Sequence, residues 1–577
     1  MKKILALLLA AMMLVAAFAG CAAQNNNEAS KPSGWVNDYF TALPTTLNTF
    51  VSGNTEVYYV VRATSINLYR SYLTDSADSY EYLPELASEL PIQMDEEGKV
   101  WQIKLRQGQK FSNGLEITAD DVLYTYEMLL DPNQLNVKAT QIANATSITI
   151  VNAAAYFAGE CSWEDVGMKK IDDYTIEITN VEPTTQLNVT RTIGVGTIVC
   201  KELYKSLLGD DGTWTGYGMT ADQYVSSGAF ILKEWIPDAK IVLERNPDFV
   251  FADKIKIEGI TFIAIPDAQT ALELFVKGEI DAVDISYEHW ENYAEDPRVY
   301  NYYDDSLMYM FVNMGNPNQN NLLGKLNFRE ALYYGLDRVA IGNAISGEPV
   351  TRYVRKGVIG DPATGTAYVN MPGANDFIDD PMTVYNPTKA NEFFTKALEE
   401  CNLTSATLEL MYSEVSTRTR SIWEMAQVQW KDVFNGKLQP TMRSVPAGQT
   451  ITLRRWNPSN PTAFEITLGS MLPDADDPSQ SFHCFTSTYS PPRFYYSNPE
   501  FDALYDQAVS REVRADNDKF IDICQKMEKI ILEDRVIIPV YETVSKKLFA
   551  DKIDLPTAND QYVTCYGFGY PYYVSIK

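Results

Sequence analysis

The acids of Asp474-Ala475-Asp476-Asp477-Pro478 are the residues best placed for chemistry, the densest acidic run in an otherwise apolar neighbourhood. Three carboxylates this close can hold a cation, although the glycine and distal glutamate of a calcium loop are missing. They can serve as general acid and base, as in a glycosidase. One of them can instead meet the ammonium group of a ligand, or the run can be a solvated turn, which Asp before Pro favours. Residue chemistry leaves these four readings open.

Other catalytic apparatus is sparse. The only histidines, His289 and His483, lie far apart, and neither sits in a recognisable catalytic context. The sequence contains no H-E-x-x-H, no G-x-S-x-G and no G-x-x-x-x-G-K-[ST], so zinc hydrolysis, a serine triad and a P-loop have no support. The cysteines Cys161, Cys200, Cys401, Cys484, Cys524 and Cys565 are widely spaced, without a CxxC pair. They are too few for a disulfide scaffold, though a pairing such as Cys161 with Cys200 is open to an exported chain. No metal or cofactor is expected.

The elements that must position these residues show clear local signals. Trp101, Ile103 and Leu105 alternate with Gln102, Lys104 and Arg106, and Tyr174, Ile176 and Ile178 alternate with Thr175, Glu177 and Thr179. Such alternation marks half-buried strands. Thr118-Ala119-Asp120-Asp121 opens a helix carrying Val122, Tyr126 and Leu129, with Thr and Asp at capping-box spacing. Asp267 caps a helix over residues 268–277, stopped at Gly278. Asn327 is read as the start of a helix, with Glu330 as its reciprocal cap. Asn498-Pro499 opens another, with Phe501, Leu504, Tyr505 and Ala508 on one face. The longest helix is expected over residues 515–533, burying Phe520, Ile523, Cys524, Met527, Ile530 and Ile531. Strands and helices mixed throughout predict an α/β protein of several lobes.

Composition narrows the partners. With 48 basic and 76 acidic residues the net charge is −28, which removes nucleic acid from consideration. The charge serves solubility and can also favour cationic ligands in a cleft. The 36 Tyr, 24 Phe and 9 Trp suit a cleft for peptides or for sugars, and most of them must be core.

The N-terminus reads as an export signal over residues 1–20: Lys2 and Lys3, an apolar run from Ile4 to Phe18, then Ala19-Gly20. The run is short of the ~20 residues that span a bilayer. Ala19-Gly20-Cys21 is similar to the lipobox of bacterial lipoproteins, with Phe18 where leucine is usual. That resemblance implies a diacylglyceryl group on Cys21, whose two acyl chains would hold the protein on a membrane. Residues 21–34, rich in Asn, Ser and Gly, suit a flexible tether. Even without the leader, a chain of 577 residues has room for roughly three or four domains.

Six ordered blocks resemble the family 5 extracellular solute-binding proteins, the oligopeptide, dipeptide and nickel receptors of ABC importers. Leu83-Pro84-Glu85-Leu86-Ala87 precedes Trp101 to Gly114, and Thr118-Ala119-Asp120-Asp121-Val122 follows. These are similar to the family's strand, its R-x-G-x-x-F-x-x-G turn and its T-A-x-D-V helix start. Ser227-Gly228-Ala229-Phe230 with Leu243 to Asp248 resembles a second block, and Ile265-Pro266-Asp267-Ala268 with Gly278-Glu279-Ile280-Asp281 a third. Phe328-Arg329-Glu330-Ala331-Leu332 with Leu336-Asp337-Arg338, Asn498 to Asp502, and Ile537 to Tyr541 complete the series.

The resemblance implies a multi-lobed α/β fold of the periplasmic-binding-protein type (type II, with an extra inserted lobe). Lobe I would comprise 35–74, 222–300 and 540–577, lobe II the insertion 75–221, and lobe III 301–539. Segments near Tyr300–Met310 and Ile537–Tyr541 would form the hinge. The implied function is capture and release outside the cell, with no bond broken, by a monomer that delivers its ligand to permease subunits. In the family's peptide receptors, a carboxylate four residues before the proline of an acidic-Pro pair holds the ligand's α-amino group. Asp474, with Asp477-Pro478, occupies that position. Met471 and Leu472, with Gly53 and Asn54 in Ser52-Gly53-Asn54, are expected to pair with the peptide main chain. Gly469-Ser470 stands where peptide receptors often carry Gly-Trp, with one residue more before Asp474, and Pro473 removes a donor beside the anchor. A non-peptide solute such as an oligosaccharide is the alternative cargo, and a carboxylate-dependent glycosidase the remoter one.

Overall fold

The computed structural model describes residues 34–577 apart from 52–54, 74–79, 135, 137–138, 144–147, 195, 211, 213–214, 286, 415, 447–448, 455, 472–477, 490–492, 556–560 and 563–569. Alternation is realised where it is strongest. Trp101, Ile103, Ile176 and Ile178 are buried, and their strands, Val100–Lys104 and Thr175–Thr179, pair antiparallel at the centre of a four-stranded sheet. The helix Ala119–Leu130 begins at Thr118, whose backbone N–H donates to Asp121 Oδ2 at 3.0 Å. Asp267 Oδ1 accepts from Thr270 N at 2.7 Å and caps Ala268–Val276; the chain leaves through Gly278 at a φ of +75°, where glycine carries no Cβ penalty.

Two sheets organise the rest. The strand Trp35–Phe40 runs parallel to Gly259–Ala264, which continues antiparallel through Lys240–Arg245 to Phe230–Ile236. An eight-stranded sheet has Ile537–Phe549 and Val299–Val312 at its heart, followed by Ile466–Gly469, Ala406–Ser413 and Leu438–Val445. These two central strands pair antiparallel along almost their whole length, with register shifts between Tyr303 and Leu307 and between Met308 and Tyr309.

Apolar packing explains why that ladder matters. One core takes its residues from Leu307 to Tyr541. A second runs from Val36 to Phe262 and is completed by Ala282, Phe549, Ile553, Tyr572 and Val574. A small third core holds Tyr39, Phe275, Val299 and Leu548. The ladder therefore has Leu307–Val312 and Ile537–Tyr541 rooted in the first core, and Val299, Leu548 and Phe549 in the other two. The two large bodies share these strands. Sheet hydrogen bonds connect the bodies without fusing their interiors.

Three sequence expectations change. The helix near Asn327 spans Leu326–Tyr334 and is preceded by Lys325. Asn327 donates instead to Glu400 Oε1 at 2.5 Å, and Glu330 accepts from Arg535 Nε at 3.1 Å. A long-range ion pair has outcompeted the local cap. Cys161 and Cys200 are free thiols. The C-terminal helix is Asn517–Glu533, capped by Asp516, with Ile530 only half-buried; an equally long helix, Thr417–Val433, shares its rank. Asn498 caps Pro499–Val509 as expected, with Phe501, Tyr505 and Ala508 buried.

Candidate functional site

Asp474 and Leu472, with Gly53, Asn54 and Cys21, lie outside the described residues. Of the expected ligand contacts, Met471 is described: half-buried and packed against the core of residues 307–541. The structure does define what stands on each side of the acidic run. The incoming strand Ile466–Gly469 is buried throughout and pairs with Tyr309–Val312 of the ladder, Gly469 opposite Tyr309. The site's entry strand is thus bonded directly to the element that links the two bodies.

Gly469, the glycine that the family's Gly-Trp pattern shares, is closely packed here. A Cβ on residue 469 would collide with the Arg454 guanidinium and lie 3.2 Å from the Phe311 ring. Arg454 itself sits 4.6 Å over that ring, a cation–π placement. A side chain at 469 would require the Arg454 guanidinium to move aside.

Beyond the acidic run, the turn Pro478–Ser481 is buried. Its Ser481 carbonyl accepts from Tyr353 OH at 2.5 Å. Tyr353 meets Phe485 edge-on at 5.2 Å and Tyr309 at 5.6 Å. His483 is stacked on Tyr505 at 5.4 Å and meets Tyr489 edge-on at 4.9 Å. It forms part of an aromatic wall. Tyr309, 1% exposed, has no hydrogen-bond partner for its hydroxyl among the described residues. Burial pushes its pKa well above the ordinary value, against the opposing pull of Arg454, Arg493 and Arg355. These arginines come from three separate segments, so the surroundings of the Tyr309 hydroxyl are cationic and aromatic.

One bond crosses from this region to a distant part of the chain. Arg514 Nη2 donates to Ser479 Oγ at 2.7 Å, and its Nη1 donates to Asn188 Oδ1 at 3.0 Å, across 326 positions of sequence. Asn188 belongs to the helix Gln186–Ile193, whose Val189 and Ile193 lie in the Val36–Val574 core. A single guanidinium therefore joins the turn after the acidic run to the opposite body. Sequence reasoning did not find Asn188, Arg514, Arg454 or Tyr309, because nothing local to any of them signals a shared location.

Among the described residues there is no cluster of metal-ligating side chains and no helix long and apolar enough to cross a membrane. Two bodies joined by a shared ladder, with a polar bridge across their seam, define a multi-lobed α/β binding protein of the periplasmic type. The sequence matches the bacterial extracellular solute-binding proteins, family 5 Middle, over residues 81–491, and the chain belongs to that family. It is 25% identical over 474 residues to the periplasmic oligopeptide-binding protein OppA of Salmonella typhimurium, covering 78% of each chain. It is 24% identical to the dipeptide-binding protein DppE of Bacillus subtilis, covering 81% of this chain and 80% of that one. The solved structure of Listeria monocytogenes OppA bound to peptide superposes with a TM-score of 0.69 at 22% identity, covering 95% of this chain and all of the other.

Proposed function

We propose that this chain is the substrate-binding subunit of an ABC importer, capturing peptides between its two large bodies outside the cytoplasmic membrane and handing them to permease subunits. The observation that carries this reading is the family match across 81–491, in a fold whose two bodies share the ladder of Val299–Val312 and Ile537–Phe549. A ladder of that kind can bend with little loss of packing, which is what hinge closure around a ligand requires. Lobes I and II share one core and move as one jaw; lobe III is the other. Peptide cargo is supported by the names of the Salmonella and Bacillus relatives.

Within this reading Asp474 meets the peptide's α-amino group, and Met471, Leu472, Gly53 and Asn54 pair with its main chain as an added strand. Binding and release break no bond and need no cofactor. The protein acts as a monomer, held to the outer face of the membrane by lipid on Cys21. Native mass spectrometry of the purified chain should show co-purified peptides; a co-purified oligosaccharide would replace this reading with its alternative. Asp474→Ala should weaken peptide binding at least about tenfold, because removing one partner of a desolvated charge pair is costly. Calorimetry showing unchanged affinity in a folded variant would take Asp474 out of the site.

A further inference from the structure

Two buried carboxylates hold the segment that follows the strand Gly347–Pro349. Glu528, 1% exposed on the helix Asn517–Glu533, accepts through Oε1 from the backbone N–H groups of Tyr353 and Val354, each at 2.8 Å. Glu542, fully buried on the ladder strand Ile537–Phe549, accepts from Lys356 N at 3.2 Å. Residues 352–356 thus form a strap fastened to a helix on one side and to the ladder on the other. The strap also reaches forward. Tyr353 OH donates to the Ser481 carbonyl at 2.5 Å, in the turn whose Ser479 accepts from Arg514.

The charges around the strap do not balance. Lys356 Nζ lies 2.5 Å from Glu348 Oε2, a pair at the rim where a third of the Glu348 side chain meets solvent. Arg352 serves the rest: its Nη2 lies 3.4 Å from Glu542 Oε2 and 3.8 Å from Glu348 Oε1, and its charge also faces Glu528. Glu348 and Glu542 stand directly opposite each other on paired strands, where like charges repel. The Tyr368 hydroxyl faces Glu528, and Cys524, one turn earlier on the same helix, faces Tyr368. Three carboxylates therefore meet two cations. Burial pushes both Glu528 and Glu542 above the ordinary carboxylate range. At Glu528 it acts against the Val354 and Tyr353 N–H groups, Tyr368 and Arg352; at Glu542 it acts against Arg352 and Lys356, with Glu348 adding to the rise.

We propose that Glu348, Glu528, Glu542, Arg352 and Lys356 form a proton-binding site, which keeps one proton on the two buried carboxylates of the folded protein and holds the strap tightest while that proton is bound. The proton belongs to the pair and not to either residue. An unfolded glutamate titrates near about 4.3. Above that value the folded chain keeps a proton that the unfolded chain has lost, so stability falls as pH rises towards the folded pKa and levels off beyond it. Glutamine offers the same acceptor oxygen without the charge. Glu528→Gln or Glu542→Gln leaves two carboxylates for two cations and mimics the proton-loaded site at every pH.

The test needs no ligand. Urea midpoints of the full chain and of both variants are followed from about pH 5 to about pH 8. Each variant should match wild type at the acid end and gain on it as pH rises, by up to about tenfold in folding equilibrium constant per pH unit. Curves that run parallel to wild type for either variant would overturn the shared proton. Amide exchange at Tyr353 and Val354, corrected for its intrinsic pH dependence, should quicken with pH in wild type and stay level in Glu528→Gln. Equal pH dependence in the two would overturn the strap's response. Should neither variant fold, infrared spectra of wild type with carbon-13 glutamate still decide. A protonated-carboxyl band persisting at about pH 6, above the ordinary glutamate range, is expected, and its absence would overturn the proposal.

Discussion

Replacing Asn188 by alanine should loosen the closed protein without unfolding either body. The side chain is 4% exposed, and its Oδ1 takes a 3.0 Å hydrogen bond from Arg514 across the seam. A hydrogen bond to a charged group contributes about 1.5–3 kcal/mol. Separation of the jaws would hydrate both groups, so the loss falls on the closed state alone. At ~1.4 kcal/mol per decade the ratio of closed to open protein should drop about 10- to 100-fold. If the ligand-free protein is mostly open, the same factor passes into the apparent dissociation constant, because affinity scales with the competent fraction. Calorimetry with a bound peptide measures that constant, and small-angle scattering of the ligand-free and saturated protein reads the closure. Arg514→Gln and the double variant complete a cycle. Contacting partners should couple by about 0.5–3 kcal/mol. Strict additivity, or an unchanged dissociation constant in Asn188→Ala, would refute the claim that this bond latches the seam.

Three other outcomes are expected. Glu85 accepts from Arg70 Nε at 2.6 Å and from Asn67 N at 2.8 Å, and the Arg–Glu pair is sealed from solvent. Glu85→Ala should cost about 3–5 kcal/mol by stranding a buried guanidinium, seen as a lower urea midpoint; a wild-type midpoint contradicts this. Tyr309→Phe deletes a buried hydroxyl with no partner among the described residues, so the ligand-free chain should be no less stable, and a lower midpoint would expose a missed hydrogen bond. Cys21→Ser should move the protein from the membrane fraction to the medium or periplasm; retention at the membrane would end the lipoprotein reading.

Much of the local architecture was legible in the residues. Period-two burial at Trp101, Ile103, Ile176 and Ile178, and the caps at Asp267 and Asn498, follow from interactions within a few positions of chain. The family followed from six blocks whose spacing survives because each builds a turn, cap or strand of its own. The acidic run was visible too, as was its place in the family pattern. Where local rules failed, a distant partner was the reason. Asn327 and Glu330 offered a plausible cap, yet Glu400 and Arg535 claimed their side chains.

Residue order by itself determined the elements, their caps, the charge balance and the family, because these depend on short-range periodicity and on chemistry carried by single segments. Tertiary structure alone decided that Asn188, Ser479 and Arg514 form one bridge and that the Arg454 guanidinium packs against Gly469. Contacts across hundreds of positions have no periodic signature. They arise when two cores, each closed by its own apolar burial, are brought together along a shared ladder, and that meeting is a property of the folded chain.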